Sequence, residues 1–201
     1  MSSKMTASRR SVLRALAAAA LTGPLPLKAA QHVHHQTAQA KRKADGAYKP
    51  KLFNEHEWAT LRLLSDYIIP QDEVSPGALA AGAPEYIDLL ASHNQELAAL
   101  YTGGLAWIDR QMEKRYGAPF VKAGRDAQRA LLDLIAYRKN DSPELRPGIR
   151  FFDWLRRMVV DAFYTSPVGI KDLGYLGNKG AAQFVVPAES LQYALKRSGL
   201  A

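Results

Sequence analysis

From Leu52 to Tyr164, apolar residues return at every third or fourth position, and strand-like alternation is missing. A chain with that period can bury its apolar side chains only as helices. Asn54 followed by Glu57 has the form of a capping box, and Trp58, Leu61, Leu64, Tyr67 and Ile68 then make one helix face. Pro70 stops that helix, and Gln71–Gly77 is a loop of turn formers. Pro84 suits the first turn of a second helix carrying Tyr86, Ile87, Leu89 and Leu90. A third runs through Leu97, Leu100, Leu105, Ile108 and Met112 to Gly117, a fourth from Asp126 to Tyr137, and a fifth from Ile149 to Tyr164. Pro187–Lys196 gives a last short helix, and only Gln183-Phe184-Val185-Val186 has extended character. The expected fold is all-α: five to six helices in residues 51–201, with a long glycine-rich loop near the C-terminus.

Ahead of this domain, Ser8-Arg9-Arg10-Ser11-Val12-Leu13 is close to a twin-arginine export pattern, with Arg9 and Arg10 as its signal. An alanine-rich apolar stretch, Ala15–Leu21, follows and ends at Thr22-Gly23-Pro24. It is shorter than the about 20 residues needed to span a bilayer, so residues 1–30 are expected to be a removable signal peptide. Its weak hydrophobicity and Lys28 favour the route that exports folded proteins, which implies a periplasmic location. The alternative is a chance arginine pair before an alanine-rich helix. Cleavage can fall near Ala29-Ala30 or at Ala38-Gln39-Ala40.

Residues 31–50 read as a basic, histidine-containing linker. His32, His34 and His35 could bind a divalent metal, but adventitious binding or a plain solvated linker is the favoured account of them. Residues 1–50 hold nine basic residues and one acid, which accounts for the chain's whole formal charge of +8. Residues 51–201 are therefore electrically balanced, which argues against nucleic acid as a partner. The chain has no cysteine, so disulfides, thiolate metal sites and c-type haem attachment are excluded.

Catalytic constellations are thin. His56 and His93 are the only histidines beyond residue 50, the first expected to be exposed and the second near a helix cap. No G-x-S-x-G elbow, zinc-protease spacing or strand-following G-x-G-x-x-G is present. Asp66, Asp72 and Glu73 cluster by sequence without the marks of an acid–base pair. The least helical stretch, Tyr164–Gly180, mixes glycines with apolar residues. It is either a loop folded over its own helices or a docking surface. In the second case Tyr164, Pro167, Ile170, Leu173, Tyr175, Leu176 and Asn178 are its interface candidates.

Several ordered segments together resemble a known family. They are the leader, Phe53-Asn54-Glu55-His56-Glu57, Ser65-Asp66-Tyr67-Ile68-Ile69-Pro70-Gln71-Asp72-Glu73, Pro76-Gly77-Ala78, Ala81-Gly82-Ala83, Tyr86-Ile87-Asp88, Phe163–Pro167 and Gly174–Asn178. The chain is similar to subunit 3, the small subunit of gluconate 2-dehydrogenase-type flavoprotein complexes. The resemblance implies a non-catalytic accessory chain with no cofactor of its own. Its partner would be a large FAD-dependent subunit of the glucose–methanol–choline type acting on a sugar, sugar acid or polyol. A cytochrome c subunit often accepts the electrons, which brings haem c into the complex. It also implies that the twin-arginine translocase moves the loaded flavoprotein with this chain as its escort. The alternatives are a free-standing exported enzyme, with metal at His32, His34 and His35, and a ligand-binding helical bundle with an internal apolar pocket.

Overall fold

The helix Ala83–Ala91 is apolar almost all round, and a helix of that kind has to be enclosed. In the computed structural model, which describes residues 8–44, 46–174 and 186–199, all nine of its residues are buried. The other helices are arranged around it. In chain order the helices are α1 (Arg9–Ala20), α2 (Leu27–Lys43), α3 (Glu55–Ile68), α4 (Gly77–Ala81), α5 (Ala83–Ala91), α6 (Gln95–Tyr116), α7 (Arg125–Ile135), α8 (Arg146–Thr165), α9 (Pro167–Asp172) and α10 (Ala188–Ser198). No strand occurs among the described residues, so the all-α expectation holds. Among the described residues there are ten helices, eight of them within 51–201 where five to six were expected. The additional helices lie in the leader, in the polar tract behind it, in the glycine-rich segment, and at Gly82, where a left-handed residue (φ 76°) divides α4 from α5.

The helix ends follow local chemistry. Asn54 and Glu57 form the expected reciprocal capping box. Asn94 caps α6 through Leu97 N–H, while the His93 ring, 2.8 Å from Leu89 O, closes the end of α5. Gly117, at φ 73°, ends α6 in the left-handed conformation that glycine adopts without strain.

The centre of the body is the pairing of α5, α6 and α8. Gly104 of α6 faces the ring of Phe151 on α8, and Gly148 of α8 faces the ring of Trp107 on α6. A methyl group at either glycine would fall inside the opposing ring. The two contacts run in opposite order along the two helices, so α6 and α8 pack antiparallel. The fully buried Tyr101 stands edge-on to Phe53 and Phe151, at ring-centroid distances of 6.4 and 6.1 Å.

α1 and α2 both cover α5. Leu13, Ala17 and Ala20 of α1 and Ala30, Val33 and Thr37 of α2 are buried. α2 thus runs straight across the 30/31 position where composition changes from leader to polar tract. No described helix is long and apolar enough to cross a membrane.

Candidate partner interface

Buried polar groups first show which parts of the molecule serve architecture. Asp88, fully buried in α5, accepts hydrogen bonds from Tyr48 Oη at 2.8 Å and from the backbone N–H groups of Lys51 (2.9 Å), Leu52 (3.0 Å) and Phe53 (3.4 Å). It straps the chain entering α3 onto the core. Burial, then the neighbouring Asp88 charge, raises the Tyr48 pKa, so the phenol stays a donor. Gln128 does similar work at the other end, donating to Phe120 O and Ala123 O while accepting from Tyr67 Oη at 2.7 Å.

His56 has a partner that sequence spacing could not show: Asp109 Oδ2 lies 2.6 Å from its Nε2, across 53 residues. The other oxygen of Asp109 accepts the Phe120 N–H at 2.9 Å, so the pair ties α3 and α6 to the turn at Phe120. His32, His34 and His35 all lie on α2 and do not converge. His34 turns toward the body, its Nε2 3.1 Å from Thr165 Oγ1, and His35 reaches Gln39. Among the described residues no three metal-ligating side chains gather at one place.

The loop Pro70–Pro76 is held by its own chemistry. Asp72 accepts from the backbone of Ser75 at 2.6 Å and of Val74 at 2.8 Å, and these bonds lower its pKa. Gly77, at φ 75°, passes so close to Gln71 that a Cβ there would lie 2.7 Å from its backbone nitrogen. On this braced loop Val74 stands 85% exposed, the most exposed of the large apolar side chains described. α4, directly after it, packs on α9.

The beginning of the glycine-rich segment is helical rather than irregular. Ser166 accepts the Gly169 N–H at 3.0 Å, and Pro167 opens α9. Gly169 lies against the Phe163 carbonyl, too close for a side chain. Of the expected interface residues, Tyr164 (41%) and Leu173 (60%) are exposed, Pro167 is exposed and Ile170 is half-buried. Tyr175, Leu176 and Asn178 lie outside the described residues, as does most of Gln183–Val186. Tyr164 also borders an open apolar trough of about 350 Å³, walled by Trp154, Met158 and Val160 of α8 and lipped by Ala20, Gly23 and Pro24. The sequence singled out exposed apolar residues at the α8–α9 end but not the exposed Val74 and Val160, nor Trp154 on the trough wall. An apolar residue amid turn formers was the available signal at Val74.

A protein-family model described as gluconate 2-dehydrogenase subunit 3 matches residues 55–181. The chain belongs to that family. Comparison with curated proteins and with solved structures returned no match. The subunit 3 match begins at the first residue of α3 and takes in the self-capped loop, the enclosed α5 with Asp88, the α6–α8 pairing and α9. α1, α2 and α10 lie outside it. The Ile-Ile-Pro-Gln-Asp-Glu segment, the most specific piece of the resemblance, thus spans the end of α3 and the loop that Asp72 braces.

Proposed function

We propose that this chain is a non-catalytic small subunit that binds, stabilises and escorts an FAD-dependent sugar, sugar-acid or polyol dehydrogenase. The observation that carries the reading is the family match over residues 55–181. Exposed apolar side chains supply a physical means of binding: Val74 and Leu173, and the outward part of Tyr164, offer anchors to a second chain. The large subunit is of the glucose–methanol–choline type and holds the FAD. A cytochrome c subunit takes the electrons.

Arg9 and Arg10 are the address read by the twin-arginine translocase, and the complex works in the periplasm. A flavoprotein that loads its cofactor before export needs a signal suited to folded cargo. Here the signal sits on the small chain and serves the large one. The test is to replace Arg9→Lys and Arg10→Lys together in the producing cell and assay dehydrogenase activity by compartment. The expected result is activity confined to the cytoplasm. Full periplasmic activity from a large subunit expressed without this chain would overturn the escort role. Failure of a tagged copy to bring down an FAD-containing chain would overturn the partnership itself.

A further inference from the structure

α1 and α2 both lie on α5, but they are held by different chemistry. Every side-chain hydrogen bond described within residues 8–24 closes inside its own turn: Ser8 with Ser11, and Thr22 with the Ala19 carbonyl. α1 therefore adheres through apolar contacts, with Leu13, Ala17 and Ala20 buried and Leu16 packed beside them. α2 adds polar ties that the body needs. Lys41 Nζ lies 2.7 Å from Glu85 Oε1, a carboxylate on α5 whose side chain is only 5% exposed and whose other oxygen has no partner. His34 meets Thr165 of α8, and its ring packs on Tyr86 of α5 with centroids 5.0 Å apart. Tyr86 Oη in turn donates to Asp161 of α8 at 3.1 Å, and Leu25, just ahead of α2, is buried. Between these ties, Ala30 and Val33 are wholly enclosed.

Cleavage after Ala40 would discard Val33 and His34 and uncover Tyr86 with its polar neighbours. Cleavage after Ala30 would discard the first turn of α2 together with the buried Leu25 and Ala30. Groups buried in such a seam are costly to strip of their cover. From these contacts we infer that α2 is a permanent helix of the body, and that the leader ends upstream of Leu27. Ala18-Ala19-Ala20 supplies small residues at the spacing that signal peptidases accept, and Ala18 and Ala19 are exposed just before the Thr22–Pro24 turn. Removing α1 there leaves every polar tie of α2 in place. The inference rests on the export reading above only for the existence of a cut; the place of α2 in the body stands on the contacts.

The test takes the full chain from its producing cell, measures the intact mass of the exported form, and follows its thermal unfolding. The expected first residue lies between Ala19 and Leu27. Val33→Asp should lower the melting temperature of the recovered chain by about 10 °C or more, because it buries an unpaired charge in the seam. If that variant does not accumulate, His34→Ala provides a milder shift of about 3 °C. A mature chain beginning at Gln31 or Lys41 overturns the inference while leaving export intact, and so does an unchanged melt in both variants. An unprocessed cytoplasmic chain whose melt depends on Val33 sinks the export reading and keeps α2 in the body.

Discussion

α2 and α10 are alike as sequences and opposite as structures. Both are polar helices with an apolar stripe and basic residues in the last turn, Lys41-Arg42-Lys43 in one and Lys196 and Arg197 in the other. α2 buries Ala30, Val33 and Thr37, whereas α10 buries nothing, and its Leu191 and Tyr193 stand 50% and 65% exposed. Amphipathicity is thus common to both and decides nothing alone. What separates them is a complementary seat. α2 faces a carboxylate on α5 and a hydroxyl on α8 that need its Lys41 and His34, and small residues let its backbone approach closely.

Exchanging an apolar residue for a charge should break this comparison most sharply. Val33→Asp is expected to cost about 4 kcal/mol, while Leu191→Asp stays within about 0.5 kcal/mol. Chemical denaturation of the two variants side by side checks the contrast. Removing a tie rather than the seat should cost less. Lys41→Met leaves Glu85 enclosed without its cation, and a loss of about 1–2 kcal/mol is expected, moderated because Lys41 is partly exposed. Glu85→Gln combined with Lys41→Met should recover part of it. If the double variant is as unstable as the single, the ion pair is not what holds that end of α2.

The histidine gives a smaller and pH-dependent effect. Burial lowers the His34 pKa below its ordinary 6.5, against an opposing backbone hydrogen bond. The unfolded chain takes up that proton more readily than the folded one. Stability therefore falls as pH drops from about 6.5 through the lowered value, and is fully present only above the unfolded chain's value of about 6.5. Asp161, whose pKa burial raises above 3.8, acts in the opposite sense and in a more acidic range. Melts between pH 5 and 7.5 should slope less in His34→Gln than in the parent chain. The smallest effect on stability is expected at Val74→Asp, where the side chain touches little, yet retention of the large subunit in a pull-down should fall by about tenfold.

Sequence signals served best where a helix end depends on its own neighbours. Asn54 with Glu57, Pro70, Pro84 and Gly117 each act within one turn, and each marks a boundary within a residue or two of where the structure has it. α9 carries the same kind of signal, Ser166-Pro167, but the glycines after it hide a helix of six residues. α2 is harder to read because its three buried positions are an alanine, a valine and a threonine in a polar tract, and what selects them lies on α5 and α8. Asp88, His56 and Asp109 were visible as residue types, yet their roles depend on partners 35 to 53 positions away. Among the exposed apolar residues, Tyr164 and Leu173 were legible at the edge of a stretch rich in turn formers. Val74 was passed over because its loop reads simply as a loop.

The reciprocal placement of Gly104 against Phe151 and Gly148 against Trp107 bears on how a binding event at one end is felt elsewhere. Two ring-in-notch contacts a helical turn apart, set in opposite directions, act as a dovetail: neither α6 nor α8 can slide or roll without driving a ring into a backbone. A grip on Tyr164 at the end of α8 is therefore a grip on both helices. The 20-residue and 22-residue rods are locked as one beam, so any chain that clasped Tyr164 would be carried by both helices rather than by a hinged arm.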